Sequence, residues 1–398
     1  LQNMVSDELR PDFLDKKIAL VQKVMKELEV DLWLVFTRDG APDPVAADIG
    51  LGGAMARTAG IIDVNGDKCA IAWRPDAEAV KQSGFYDKVF YYEDEGISPK
   101  IREFILNRGP KRIAVNSSQD FGVADGLTHS MRKYLEDAVG EYAEKLVSAE
   151  DLVIAFRSRL LPDEVELVKS AISKCEDILE AAAEGIIRAG KTDRQIHEEI
   201  LGEVRRAGLE TAWPEAGCPS VTVGADPVGH VGYNNSVVER GKLVRLDFGV
   251  KYGGYCCDLQ HVYYVGGEPI PKEDQLMFET ACEANDAAIA SIKPGVPGYI
   301  PDQAARRVVL GAGYPNYWHG TGHPVGRLVH EVGPRLAPKD SKDYAAAANK
   351  FLQPGMVLTV EPSVFGRSGM CNLEQDVLVT GSGVERLSKR QSTITVIE

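Results

Sequence analysis

No stretch of about 18 apolar residues occurs in the 398-residue sequence, so no membrane-crossing helix is expected. The opening segment, LQNMVSDELRPDFLDKK, lacks the apolar core of a secretory signal, and secretion is not indicated. There is no low-complexity tract, and no G-x-S-x-G elbow to suggest a serine hydrolase. Cysteine is sparse: seven scattered residues, odd in number and without a CxxC pair, a usage that suits a reducing cytoplasm. Adjacent Cys256 and Cys257 would point to opposite faces of a strand and read as small buried hydrophobes. Positive charge is in the minority, 45 Lys and Arg against 59 Asp and Glu. The net charge of -14 argues against nucleic acid or an anionic membrane as the main partner.

What is present is enough chain for two domains, with an ordinary globular balance of 44% hydrophobic and 26% charged residues. Up to about residue 150, helical and strand patterns alternate. Leu14, Ile18, Val21, Val24 and Met25 have helical spacing, and DLWLVFT (31–37) reads as a buried strand. AGIIDV and KCAIAW flank Asn65-Gly66, a strong hairpin signal. Strands are expected at 88–92 and 112–116, with a helix near 98–107 between them. This part holds no cluster of metal-ligand residues, and its lone His129 reads as an ordinary surface or core histidine.

Leu152 to Leu161 reads as a connector, because Pro162-Asp163-Glu164 opens a helix that runs to about Arg188. Thr192 and Gln195 form a capping-box pattern for a second helix, ending near Gly208. A third long helix is expected between about Glu273 and Ile292. The domain boundary is placed near 155.

The chemistry concentrates in two hairpins. In KLVRLDFGVKYGGYCCDLQHVYYV (242–265), Asp247 and Asp258 flank a turn at Tyr252-Gly253-Gly254 near-symmetrically, and an antiparallel hairpin is expected to set them directly opposite each other. Like charges facing across a sheet repel, so two aspartates inside apolar strands require neutralisation, and a divalent metal supplies it. GMVLTVEPSVFGRSGMCNLEQDVLVT (355–380) repeats the pattern, with Glu361 and Glu374 symmetric about a Gly366–Gly369 turn. Each carboxylate alone would pass as a solvent-facing strand residue; two symmetric pairs in apolar strands would not.

Between the hairpins lies WHGTGHPVGRLVHE (318–331), with three of the seven histidines. Gly-spaced His-Gly-Thr-Gly-His lets imidazoles approach a metal closely, while HExxH is absent. Oxygen-dominated ligation with one imidazole favours manganese, cobalt, iron or zinc in a paired site over structural zinc.

Taken together these residues resemble the pita-bread metallopeptidase family, which includes aminopeptidase P, prolidase, methionine aminopeptidase and creatinase. The resemblance rests on an Asp, a second Asp eleven residues on, the HGTGHPVG and MVLTVEP segments and a final Glu in NLEQDVLVT, and it spans roughly residues 160–398. It implies an α+β chain: an N-terminal α/β domain of creatinase/prolidase type over 1–155, and a catalytic pita-bread domain over 156–398. It further implies that Asp247, Asp258, His323, Glu361 and Glu374 hold two divalent metal ions (manganese, cobalt or zinc). Glu361 would be the general base, His230 and His330 would stabilise the intermediate, and His319 would line the substrate site. The implied reaction is hydrolysis of an amide C–N bond in a small peptide, by an Xaa-Pro aminopeptidase or dipeptidase working as a cytoplasmic homodimer.

Three positions depart from the family pattern. Asp-Ile-Thr-Arg-Thr is usual after the second ligand and here reads Asp258-Leu259-Gln260-His261-Val262; Asn372 stands where an Arg is usual; and Arg245 stands where an apolar residue is usual. The expected symmetry also pairs Arg245 with Gln260, so Arg245 is expected to replace the missing guanidinium, steadying an Asp ligand or binding a substrate carboxylate, unless it snorkels to solvent. These departures keep two other readings open: a non-peptidase C–N hydrolase of a small metabolite, and a catalytically silent binding protein.

Overall fold

The computed structural model describes residues 11–225, 231–267 and 269–398. The chain forms two units, Leu1–Arg157 and Ser158–Glu398.

In the first unit, the helix Pro11–Glu27 turns Leu14, Ile18, Val21 and Met25 inward on one stripe. Its sheet has six strands in the order Lys88–Tyr92, Lys68–Trp73, Thr58–Asp63, Leu32–Thr37, Ile113–Val115, Leu146–Ser148. Leu32–Thr37 is buried along its whole length, as its unbroken apolar run requires of a central strand. Thr58–Asp63 and Lys68–Trp73 pair antiparallel around Asn65-Gly66, and the helix Ser98–Arg108 falls where its spacing predicts. His129 is an exposed residue in the first turn of the helix His129–Val139.

One local expectation is corrected. Most of the stretch read as a connector is a helix, Glu150–Ser158. Two acids lie in its first turn, and the run Leu152 to Phe156, free of Gly and Pro, is buried.

In the second unit, the helix Pro162–Ala181 starts where the Leu161 N–H donates to Glu164 Oε2 at 2.6 Å, and gives way to a π turn at Ala182–Ile186. The helix Asp193–Arg206 carries the expected capping box: the Gln195 N–H donates to Thr192 Oγ1 (3.2 Å) and the Thr192 N–H to Gln195 Oε1 (2.8 Å). A third helix, Lys272–Ser291, packs beside Tyr299–Gly311.

The strands that matter for the site are β1 (Ser220–Val223), β2 (Lys242–Phe248), β3 (Leu259–Val265), β4 (Val357–Val360), β5 (Ser363–Gly366), β6 (Gly369–Asn372) and β7 (Gln375–Val379). β1, β2 and β3 lie side by side in one four-stranded sheet, with Thr395–Ile397 beyond β3. β4 and β7 are the centre of another, between Pro324–Val325 and Val384–Arg386, and β5 and β6 form a two-stranded ribbon. Their apolar faces share a core that includes Val221, Val244, Leu246, Phe248, Leu259, Val325 and Val357.

Register decides what faces what. The β4–β7 pairing (Val360 opposite Gln375) and the β5–β6 pairing (Ser363 opposite Asn372) share one register, which sets Glu361 opposite Glu374 as expected. The β2–β3 hairpin does not follow its expectation. Its turn is the two residues Gly253-Gly254, both at positive φ (55° and 83°), one residue later than the centre between Tyr252 and Gly253 that facing aspartates would need. That moves the register by two: Asp247 faces Gln260, and Arg245 faces Val262. A shift of two preserves the face, so Asp258 remains on the Asp247 side as a diagonal neighbour.

Candidate metal centre

A continuous chain of pairings carries the candidate ligands onto one face. The HGTGH segment runs antiparallel to β4: the Thr359 N–H donates to the His323 carbonyl (2.9 Å) and the Glu361 N–H to the Thr321 carbonyl (2.8 Å). Directly opposed residues share a face, so His323 sits with Thr359 and, one period on, with Glu361. Glu361 faces Glu374 in the same register. Glu374 makes an isolated bridge to Gln260, and Gln260 faces Asp247. The glycine at 322 is required by this arrangement, because a Cβ there would run into the Thr359 carbonyl oxygen.

Asp258, His323 and Glu374 offer ligand atoms that all lie within 4.8 Å of one another, and all three residues are buried. Glu361 adjoins them, with Oε1 3.7 Å from His323 Nε2, which is itself 3.8 Å from Asp258 Oδ2. Asp247 is turned toward Arg245, its Oδ2 lying 3.6 Å from Arg245 Nη1. The structure thus groups three of the five expected ligands tightly, sets the fourth against them and holds the fifth beside a guanidinium.

Burial and mutual repulsion dominate the electrostatics. Asp258 and Glu374 are both driven well above the usual carboxylate range, first by desolvation and then by the neighbouring carboxylates. Glu361 is pushed up to about 8 by burial and by Asp247, against the pull of Arg245, the Gln260 hydrogen bond and Arg335. His323 is held well below its ordinary value by burial and by His330. Its Nδ1 sits 3.2 Å from the Pro324 carbonyl, which can only accept. The neutral ring therefore carries its proton on Nδ1 and aims the Nε2 lone pair at the carboxylates, as a metal-ligating histidine does.

These residues fit a divalent cation. Asp258 Oδ1 and Glu374 Oε1 are buried without a hydrogen-bond donor, in carboxylates that cluster with His323. Clustered buried carboxylates with donorless oxygens are costly unless a cation lies among them.

A cavity of about 330 Å³ opens over this face, its lining including Asp247, Asp258, His323 and Glu361 as well as Trp213, Trp318, Arg335, Tyr344 and Met370. His319 and His330 also line it. The exposed His330 ring meets His323 edge to face, centroids 4.3 Å apart. His319 has both nitrogens engaged, Nδ1 with the Gly320 carbonyl and Nε2 with Ser363 Oγ, each at 2.6 Å, and burial lowers it to about 4. A neutral ring so held offers the cavity mainly its surface. His230 lies outside the described residues.

The three unusual positions all reach the site. Arg245, buried, donates from Nη1 to Gln260 Oε1 (2.8 Å) and from Nη2 to Thr222 Oγ1 (3.1 Å); it does not snorkel to solvent. The expected Arg245–Gln260 contact therefore forms, but diagonally across β2 and β3. Gln260 Nε2 donates to Glu374 Oε2 (2.6 Å) and Glu361 Oε2 (3.2 Å). Asn372 is buried in the cavity wall with Oδ1 unpartnered.

Two further residues escaped the sequence reading. Asp376, pushed up to about 8 by burial, accepts the Asp258 N–H at 3.1 Å and so anchors the backbone of that candidate ligand. Strand period two from Glu374 was the available signal. Arg335 sits at the cavity wall over the Tyr344 ring, 5.0 Å from its centroid, in an irregular segment with no periodicity to mark it.

Comparison with known proteins agrees with this geometry. Residues 166–381, more than half of the chain, match the model of Metallopeptidase family M24. An Xaa-Pro dipeptidase of Pyrococcus furiosus is 27% identical over 280 residues, covering 70% of this chain and 76% of that protein. Among solved structures, an Xaa-Pro dipeptidase from Bacillus anthracis superposes with a TM-score of 0.73 at 24% identity, covering 96% of this chain and 99% of that one. An X-Pro aminopeptidase from Thermotoga maritima gives 0.69 at 24% identity, with 94% and 98% covered. The fold is the expected pita-bread architecture with an N-terminal α/β domain. With its buried cluster of Asp258, His323 and Glu374, the chain belongs to metallopeptidase family M24 and is a metal-dependent hydrolase.

Proposed function

We propose that this enzyme is an Xaa-Pro dipeptidase that uses Glu361 as its general base. The observation that carries the reading is the convergence of orphaned acceptors and the His323 lone pair beneath a cavity whose wall also holds Arg335. At about 330 Å³ the cavity is at the small end of ligand sites, a size that suits a dipeptide better than a longer chain. Burial lowers the pKa of Arg335, and its guanidinium is in ion-pair contact with no carboxylate among the described residues. A dipeptide's C-terminal carboxylate would complete it. The Pyrococcus furiosus and Bacillus anthracis relatives bear the name Xaa-Pro dipeptidase, in keeping with this.

Asp247, Asp258, His323, Glu361 and Glu374 would hold two divalent ions (manganese, cobalt or zinc), which supply Lewis acidity at the scissile carbonyl and make water there more acidic. Glu361, in the cavity lining with Oε1 3.7 Å from His323 Nε2, takes the proton of the attacking water and delivers it to the leaving nitrogen. His330, exposed at the cavity wall, and His230 donate to the developing oxyanion. His319 contributes a ring face to the substrate. A homodimer in the cytoplasm belongs to the same proposal; seven unbridged thiols support a reducing compartment. Among the described residues no helix is long and apolar enough to cross a membrane.

The test is to strip the protein with chelator, reload it with each metal and assay Xaa-Pro dipeptides, longer Xaa-Pro peptides and small N-substituted amides. Cleavage confined to dipeptides is expected. Equal cleavage of longer peptides would make it an aminopeptidase, and activity on the amides alone would overturn the peptide reading while keeping the metal centre. A protein that takes up no metal would be a binding protein.

A further inference from the structure

Gln260 occupies the seam of the site. It faces Asp247 within one sheet and bridges to Glu374 at the edge of the other. Its amide is oriented by its surroundings, because Arg245 has only donors. The carbonyl Oε1 must therefore turn to Arg245 Nη1 (2.8 Å), which directs Nε2 onto Glu374 Oε2 (2.6 Å) and Glu361 Oε2 (3.2 Å). Arg245 is itself held by Thr222 Oγ1, from the residue facing it on β1, and by its approach to Asp247.

The consequence lies in which carboxylate oxygens remain. Both Oε2 atoms are taken by one amide, while Glu374 Oε1 is left without a donor and Glu361 Oε1 faces His323 Nε2. We propose that Arg245 and Gln260 act in series as a positioning pair: the guanidinium sets the amide, and the amide holds one oxygen of each glutamate so that the other is presented to the metals. This rests on the reading of Glu361 and Glu374 as ligands. It assigns Arg245 to ligand positioning rather than to the substrate carboxylate: Nη1 and Nη2 each donate within the protein, and the remaining Nε, without a partner, is buried.

The experiment measures Mn²⁺ affinity of the chelator-stripped full chain by competition with a metal-sensitive dye. Wild type, Arg245→Met, Gln260→Leu and the double variant are compared, with melting temperature in chelator as the folding control. Each single substitution is expected to weaken Mn²⁺ binding by about 10–100-fold, the usual effect of removing a group that orients a ligand. The double variant should lie close to Gln260→Leu, because Arg245 acts chiefly through the amide and its direct approach to Asp247 is the longer 3.6 Å contact. Gln260→Glu, similar in size but without the donor, should lose affinity in the same way. Should Arg245→Met fail to fold, Arg245→Lys, which keeps the charge without the planar fork, is expected to show the loss. Unchanged metal affinity in Arg245→Met with a raised KM for dipeptides would make Arg245 a substrate residue and overturn the proposal. Single losses that multiply in the double variant would overturn it too. If wild type itself binds no Mn²⁺, the metal-centre reading fails first.

Discussion

Replacing Asp258 with Asn should move stability in opposite directions with and without metal. Ligand atoms of Asp258 and Glu374 lie within 4.8 Å in a buried site. Two unit charges at that distance repel by about 332/(20 × 4.8), roughly 3 kcal/mol at an effective dielectric near 20. Protonation relieves part of this, and burial with the neighbouring charges does raise both carboxyls. About 1–3 kcal/mol is therefore expected to remain for the Asn variant to recover. The Asp258 N–H bond to Asp376 is a backbone contact and survives the change. The sign with pH follows from the raised pKa. In the metal-free wild type, stability associated with this group is fully present below the ordinary carboxylate range and is lost as pH rises, so the variant's advantage widens toward neutral pH. Added metal reverses the order, since wild type gains RT ln(1 + [M]/Kd), about 2.7 kcal/mol at one hundred times Kd, and a centre lacking one ligand gains less. Melting curves in chelator and in excess Mn²⁺, from pH 5 to 8, read both effects. An Asn variant less stable than wild type in chelator at every pH, or stabilised equally by metal, would refute the repulsion argument.

Gly322→Ala forces a Cβ against the Thr359 carbonyl and should cost about 1–3 kcal/mol, with lower metal content because the same ladder carries His323; denaturation and metal analysis check it. Arg335→Met should raise KM for Xaa-Pro dipeptides by at least about tenfold, as expected for loss of a charge-assisted bond, and leave C-terminally amidated substrates unaffected in steady-state assays. Asp43, raised to about 6 chiefly by burial, binds its proton more tightly in the folded chain. Its contribution to stability is full below pH about 4 and lost as pH rises through about 6, by roughly 3 kcal/mol, and Asp43→Asn should flatten that slope in denaturation series from pH 4 to 7.

Much of this structure was legible because its signals are local. The Asn65-Gly66 turn, the Thr192–Gln195 capping box and the inward stripe Leu14, Ile18, Val21, Met25 each lie within one turn or one helix, where a few side chains decide the outcome. The connector was misread for a related reason. Nothing local distinguishes a buried apolar run that continues as a helix from one that links two units, and Leu152 to Phe156 are buried by tertiary packing. Arg335 and Asp376 lie at the other extreme, since their roles come from contacts with elements far away in sequence.

The metal face shows why an argument from symmetry can succeed on the face and fail on the partner. A strand's side chains alternate with period two, so any even shift of register leaves Asp247, Asp258, Glu361 and Glu374 on the same side. The four carboxylates therefore still share one face although the turn lies one residue later than expected. What changes with a shift of two is the identity of the opposing residue, and that was set by a detail smaller than the motif: Gly253 and Gly254, rather than Tyr252 and Gly253, centre the turn. The shift replaces an expected carboxylate pair with Asp247 facing an amide, and turns the presumed Arg245–Gln260 pair into a diagonal contact. A neutral amide between two acidic positions is less costly than a second carboxylate there and can donate to both glutamates beyond it. The residue that looked like a departure from the family pattern thus stands where the two sheets meet, its amide joining Arg245 to Glu361 and Glu374.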